Sequence, residues 1–303
     1  MLAKLTDVCY TYNAKSEFRS PALIDVSLEI EDHVFLALIG ETGSGKSTLV
    51  QHLNGLLSPT SGTVQVGKYL MKSEGKKHYY IDTTKPQKKH PKRKQFPVKE
   101  LRKYAGLVFQ FPEYQLFEES VIKDVMFGPK NFGKDEKEAR VLAEAALKLV
   151  GIPESYYSRS PFELSGGEKR RVAIAGILAL EPKILILDEP TAGLDPAGEK
   201  EMMNLFYRIY EAGKSVIIVT HNMDLVLKYV DEAVVMQHGH LLRKGRPLEI
   251  FQDEEFMKST AIEPPLVFKT AEELKKKGLD LDLSKVKDVQ SLAQEIARVK
   301  KAE

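Results

Sequence analysis

At 303 residues and 43% hydrophobic content, the chain can bury a sizeable core, enough for one large domain and a smaller one. Its 45 Lys+Arg against 43 Asp+Glu give a formal net charge of +2, which excludes a global basic bias toward nucleic acid. A single cysteine, Cys9, excludes an internal disulfide, and no uncharged apolar stretch approaches the ~20 residues of a membrane helix, so the chain is expected in a reducing compartment, cytosolic or held at a membrane by partners.

In chain order, the opening MLAKLTDVCY lacks the apolar core of a signal peptide. Over residues 1–33 apolar and polar residues alternate, as in Val26–Ile30, which predicts a half-exposed antiparallel layer. Tyr10 and Tyr12 fall on one face of it. Short continuous apolar runs then recur at Val34–Ile39, Leu107–Phe109, Ile184–Leu187 and Val216–Val219. Such runs suit strands of a parallel sheet covered on both faces by helices. Between the first two, Lys68–Lys103 holds 13 Lys/Arg and 3 Asp/Glu, densest from Lys88 to Lys94 around His90 and Pro91. A solvated surface loop is expected there, with lipid headgroups or nucleic acid as sharper alternatives. His78 and His90 lack companion ligands and do not read as a metal site. Residues 134–150 read as an amphipathic helix ended by Gly151 and Pro153. From about Pro247 a helical piece is appended. Thr270 and Glu273 make a capping-box pattern, and Ser284 is placed to cap a second helix. In that helix Val286, Val289, Leu292, Ile296 and Val299 share a face, expected to pack on the chain's own body or under a partner.

Two segments carry chemistry outright. Gly40-Glu41-Thr42-Gly43-Ser44-Gly45-Lys46-Ser47 fits G-x-x-x-x-G-K-[ST] between a strand and a helix starting near Ser47. Glycines let backbone N–H groups converge on phosphates, and the helix N-terminus adds positive potential. Lys46 is placed for the β/γ-phosphates and the Ser47 hydroxyl for Mg²⁺. The Ile184–Leu187 strand ends in two adjacent carboxylates: Asp188 for the Mg²⁺ shell and Glu189 to accept a proton from attacking water.

The segment Leu164-Ser165-Gly166-Gly167-Glu168-Lys169 resembles the LSGGQ signature of ABC ATPases, and the family's other motifs follow in order. Gln110 matches the Q-loop, Ala192–Asp195 the D-loop and His221 the switch histidine. The resemblance covers about the first 245 residues. It implies an α/β fold: a P-loop ABC ATPase with a RecA-like parallel-sheet core, an N-terminal antiparallel β-subdomain and a helical subdomain (about 114–172); the small C-terminal helical extension (246–303) lies beyond it. The resemblance further implies two such domains closing head to tail around two ATPs. Each ATP would be gripped by Gly40–Ser47 and Thr48 of one subunit and by Ser165, Gly166, Gly167 and Glu168 of the other, with Asp195 nearby. Glu189 would be the base, His221 a support for the γ-phosphate and the water, and Gln110 a link between the metal site and the membrane partner. Tyr12 would stack on adenine. Glu168 departs from the usual glutamine, and its charge is expected to alter the rate.

A narrower resemblance rests on Gln110–Phe117, Val125–Pro129 and Asn131–Gly133. These look like the ATPases of energy-coupling factor (ECF) transporters, which power uptake of vitamins and transition-metal ions, and Phe111 looks like the A′ member of an A/A′ pair. The extension 246–303 also fits that subfamily, in which it contributes to pairing. That resemblance implies a second homologous ATPase, a transmembrane T subunit and substrate-binding S subunits as partners, at the cytoplasmic face of a bacterial membrane. Glu113, Glu118 and Glu119 are acidic candidates for an arginine of the T subunit. Glu113 is expected either to make that contact or to be a solvated carboxylate. The ATPase of another importer class, or a soluble ABC protein acting on DNA or ribosomes, is the alternative reading. The single cassette, and the lack of a long coiled coil between Lys46 and Ser165, speak against the soluble one.

Overall fold

The computed structural model describes residues 1–14, 16–74, 77–85 and 97–302. β1 (Ala3–Tyr12) and β2 (Ser20–Ile30) pair antiparallel. Val26, Leu28 and Ile30 are buried while Ser27 and Glu29 are exposed, as the predicted alternation requires. β3 (Phe35–Ile39), every residue buried, leads into α1 (Lys46–Leu53). β4 (Ser61–Val66), β5 (Tyr69–Glu74) and β6 (Lys77–Asp82) complete an antiparallel sheet ordered β2-β1-β4-β5-β6. The basic segment is therefore not one loop. Its start is the β5–β6 hairpin, whose Met71 and Ile81 are buried, and its end is α2 (Val98–Tyr104). The run Lys88–Lys94 lies outside the described residues.

After β7 (Ala105–Val108) come α3 (Val121–Asn131), α4 (Glu136–Leu149) and α5 (Gly166–Leu178). α4 is the predicted amphipathic helix. Asp135 and Glu138 form a capping box at its start, and Gly151 follows its end at φ 79°. Then β8 (Ile184–Asp188), α6 (Pro196–Glu211), β9 (Ser215–Val219), α7 (Met223–Tyr229), β10 (Glu232–Gln237) and β11 (His240–Gly245) alternate. They build a second sheet ordered β11-β10-β3-β9-β8-β7, parallel except for the β10–β11 edge hairpin. The four continuous apolar runs are its adjacent strands β3, β9, β8 and β7. β3 shows why they are apolar throughout: Phe35, Ala37 and Ile39 enter one core with the helices, whereas Leu36 and Leu38 enter another against the antiparallel sheet and α1.

The C-terminal part comprises α8 (Pro247–Phe251), α9 (Glu254–Ser259), α10 (Leu266–Lys276) and α11 (Val289–Ala302). Val267, Phe268, Val286, Leu292 and Val299 join the helix-side core, so this part packs on the chain's own body. Two expectations are corrected. Thr270 is not an N-terminal cap, since α10 begins a turn earlier and Thr270 Oγ1 donates to the Leu266 carbonyl (2.9 Å). Ser284 sits in a one-turn 3₁₀ segment, and α11 is capped instead by Asp288, which accepts from Ser291 N (2.9 Å). Val289 is therefore a first-turn residue, 76% exposed and off the buried stripe.

Candidate functional site

The Gly40–Ser47 loop joins the carboxyl end of β3 to α1. Gly40 (φ 146°) and Gly45 (φ 103°) are obligatory here: a Cβ would stand 2.1 Å from the Met236 carbonyl oxygen and 2.5 Å from that of Ala22. Lys46 is buried, its Nζ donating to the carbonyls of Gly40 (2.9 Å) and Glu41 (2.7 Å). Burial lowers its pKa, opposed by the charges of Glu189, Asp188 and Glu41. A groove on one side of the loop is lined by Tyr12, Pro21, Ala22, Gly43 and Gly45–Thr48. Tyr12 is half-exposed at its rim, with its hydroxyl 3.2 Å from Thr48 Oγ1. Tyr10 lies on the same strand face but deeper, edge-on to Tyr12 and His52, each at 4.9 Å. Of the two, Tyr12 faces the groove.

Asp188 ends β8 with Glu189 next after it, and Ser47 Oγ donates to Asp188 Oδ1 at 3.2 Å. Burial raises the Asp188 pKa, the Ser47 hydrogen bond opposes it, and the neighbouring Glu189 charge raises it further. Glu189 adopts a left-handed backbone (φ 51°), its N–H held by the Val219 carbonyl (3.0 Å). His221, just past β9, meets it: Nδ1 donates to Glu189 Oε2 at 2.9 Å. Gln110, exposed, follows β7. The structure thus brings Gly40–Ser47, His221, Asp188–Glu189 and Gln110 to the carboxyl ends of four adjacent strands, β3, β9, β8 and β7, where parallel α/β sheets bind ligands.

Ser165, Gly166, Gly167 and Asp195 line neither groove of this site. They stand at helix starts of their own. Ser165 caps α5, and Glu168 closes a capping box on it, accepting from Ser165 N (2.9 Å) and Ser165 Oγ (2.8 Å). These hydrogen bonds hold the Glu168 carboxyl below its usual range. Glutamate thus closes the capping box that a glutamine can also close, and adds a negative charge to the start of the helix. Asp195 caps α6 by accepting from Gly198 N (2.9 Å).

Glu113 is neither solvated nor free for a partner's arginine. Its carboxylate takes a two-pronged contact from Arg170 (3.0 and 2.8 Å). Burial pushes this carboxyl up, but Arg170 more than offsets that and holds it below the usual range. Arg170 Nη1 also donates to the Pro190 (3.2 Å) and Ala192 (2.9 Å) carbonyls. One buried guanidinium therefore ties the turn after Gln110 to the signature helix and to the turn after Glu189. Glu118 and Glu119 remain as the acidic pair beside the Gln110 turn, Glu119 in an exposed ion pair with Lys123.

The ABC transporter family pattern matches residues 23–192. The energy-coupling factor transporter ATP-binding protein EcfA2 of Streptococcus sanguinis (strain SK36) is 48% identical over 276 residues, covering 91% of this chain and 92% of that protein. The EcfA2 of Spiroplasma kunkelii is 47% identical over 292 residues, covering 96% and 90%. The chain belongs to the energy-coupling factor family of ABC transporter ATPases. Its hydrolysis of ATP is coupled to transport. Among solved structures, cbiO1 from Clostridium perfringens, described as part of the ABC transporter complex cbiONQ, superposes with a TM-score of 0.67 at 38% identity, covering 85% of this chain and 93% of that one. A dimeric post-hydrolysis cassette, MJ0796 bound to ADP and Pi, superposes at 0.62 with 29% identity, covering 81% and 99%.

Two features of this ECF ATPase were not read from the sequence. Arg170 was one, because an arginine in a helix is read by default as facing solvent. The other is the segment Ala261–Glu263, which lines a groove with Gly40, Glu41, Lys46, Glu189 and His221. Nothing in the spacing of residues 261–263 marks them as neighbours of Lys46.

Proposed function

We propose that this chain pairs with a homologous ATPase, closes around two ATPs and drives uptake of vitamins or other micronutrients through a transmembrane T subunit and separate S subunits, from the cytoplasmic side of the membrane. The observation that carries the reading is the convergence of the phosphate loop, two carboxylates, His221 and Gln110 on four adjacent strand ends. The exposed caps Ser165 and Asp195, which line neither groove of that site in their own chain, fit a second half supplied across a subunit interface.

Gly40–Thr48 would cradle the phosphates by backbone N–H groups, with Lys46 leaving its carbonyl partners for the γ-phosphate. Tyr12 would stack on the adenine. Ser47, Asp188 and Gln110 are the oxygen donors for Mg²⁺, which would neutralise phosphate charge. Among the described residues no three His, Cys, Asp or Glu form a cage, which suits an ion that takes most of its ligands from phosphate and water. Glu189 would take the proton of the attacking water, while His221 orients the carboxylate and reaches the γ-phosphate. Closure is favoured by ATP because only the closed state completes both halves of each site.

The test is capture of the tagged full chain from gently solubilised membranes, with the co-purifying proteins identified by mass spectrometry. Recovery of a related ATPase with a T subunit and small S-type membrane proteins is expected, and the S proteins name the cargo. Capture of ribosomes or DNA without any integral membrane protein would overturn the reading.

A further inference from the structure

The C-terminal part meets the catalytic centre through residues 261–266. Ala261, Ile262 and Glu263 wall the groove that holds Lys46, Glu189 and His221. Glu263, Pro264, Pro265 and Leu266 wall the adjoining groove, which holds His221 and the turn after Glu189. The segment 261–266 therefore runs between two grooves that share His221. That imidazole is 77% exposed, with its hydrogen bond to Glu189 as its tie to the site.

What seats the segment is a carboxylate from elsewhere. α10 starts behind Pro265, whose side chain has no atom able to accept the helix's leading N–H groups. Asp224 supplies the acceptor, taking Leu266 N on Oδ2 (3.4 Å) and Val267 N on Oδ1 (3.3 Å). Asp224 is in the first turn of α7, three residues after His221. Asn222, the cap of α7, is held in turn by Glu199 (3.2 Å), which also accepts from Thr191 (3.1 Å). A Lys269–Glu263 ion pair (3.0 Å) closes the segment back on α10.

We propose that Asp224 is a positioning residue for ATP hydrolysis: by capping α10 from the switch turn, it fixes the 261–266 segment as a wall behind His221 and makes the C-terminal part a regulator of turnover. The inference rests on the ATPase reading above. Residues 261–263 also wall the groove of Lys46, but the Lys46 ammonium is held by the Gly40 and Glu41 carbonyls without Asp224, so the clamp is assigned to the hydrolytic step, where His221 and Glu189 meet.

The test uses the full chain in its assembled ATPase dimer and three forms: wild type, Asp224→Ala, and Asp224→Ala combined with Pro265→Ser. A serine at 265 caps α10 within its own chain and restores the helix without restoring the link to His221. Asp224→Ala is expected to lower kcat about fivefold, the factor matching a cap of ordinary strength, with KM for ATP nearly unchanged. Amides 266–268 should exchange faster with solvent. In the double variant the amides should regain protection while kcat stays low. Full kcat in Asp224→Ala, or full kcat in the double variant, would reduce Asp224 to a structural cap and overturn the proposal. A rise in KM alone would also overturn it. A wild-type dimer that hydrolyses no ATP would overturn the functional reading, and the clamp with it.

Discussion

Glu189 holds backbone strain and chemistry in one residue. A left-handed non-glycine backbone costs about 1–2 kcal/mol, and here the Val219 hydrogen bond and the His221 contact hold it. Replacing the carboxylate by an amide leaves that geometry but removes the proton acceptor. Glu189→Gln should therefore bind ATP normally and lose at least ~100-fold in steady-state hydrolysis, the usual scale for a general base. Retained turnover would remove Glu189 from the role. Glu168 makes the opposite kind of prediction. Its charge secures Ser165 at the start of α5 but stands on the surface proposed to meet the γ-phosphate. Glu168→Gln should lower the ATP concentration for half-maximal hydrolysis a few-fold at low salt, since a charge at a helix end is worth ~0.3–1 kcal/mol. The effect should shrink as salt is raised. The residues that hold the site's chemistry were legible because each is bound to a motif or a strand end. Arg170 and Asp224 were not, because a charged residue gains meaning only from the partner that folding brings to it.

Among elements, the Gln110 turn, α5 and the turn after β8 are joined by the Glu113–Arg170 pair. Removing one member leaves a buried charge unpaired, so Glu113→Ala should cost roughly 3 kcal/mol in denaturant unfolding. It should also uncouple ATP hydrolysis from membrane-partner binding, because the turn loses its tether to the signature helix. A stability loss under ~1 kcal/mol would mean that the guanidinium is satisfied without Glu113. The alternating layer of residues 1–33, the runs that became β3, β7, β8 and β9, and α4 were readable from periodicity and local caps; β4, β10 and β11 were not. α10 and α11 were shifted by a turn because their caps, Asp224 and Asp288, were not the local Thr270 and Ser284 that the pattern offered. The α10 cap comes from 42 residues away in sequence, which no local rule detects. The β5–β6 hairpin was missed because its lysines masked an alternation that buries Met71 and Ile81.

For the whole molecule, stability should depend on pH through His52, buried in α1 with Nδ1 donating to the Thr48 carbonyl (2.7 Å). Burial lowers its pKa to about 4, from about 6.5 in an unfolded chain. A depressed folded value means that the unfolded state binds the proton first. Its stabilising effect is therefore full above about pH 6.5 and is lost progressively as pH falls toward 4. Between pH 7 and 5 the wild type should lose about 2 kcal/mol more than His52→Leu in urea unfolding; identical slopes would refute this. Phe268, fully buried, joins the C-terminal part to the helix-side core. Phe268→Ala should destabilise the entire chain by about 3–5 kcal/mol in one cooperative transition. A separate early transition would show instead that the C-terminal part unfolds on its own.

The order of strands in the parallel sheet also bears on synthesis. β3 and β8 carry the phosphate loop and the carboxylates, yet β9 lies between them and comes from residues 215–219. A nascent chain that has emerged only through Glu189 owns both halves of the phosphate chemistry and has no strand to bring them together. His221 arrives on the same late segment. The catalytic centre therefore cannot assemble until the chain has emerged through His221, and no ATP is spent before the core that couples hydrolysis to movement can close.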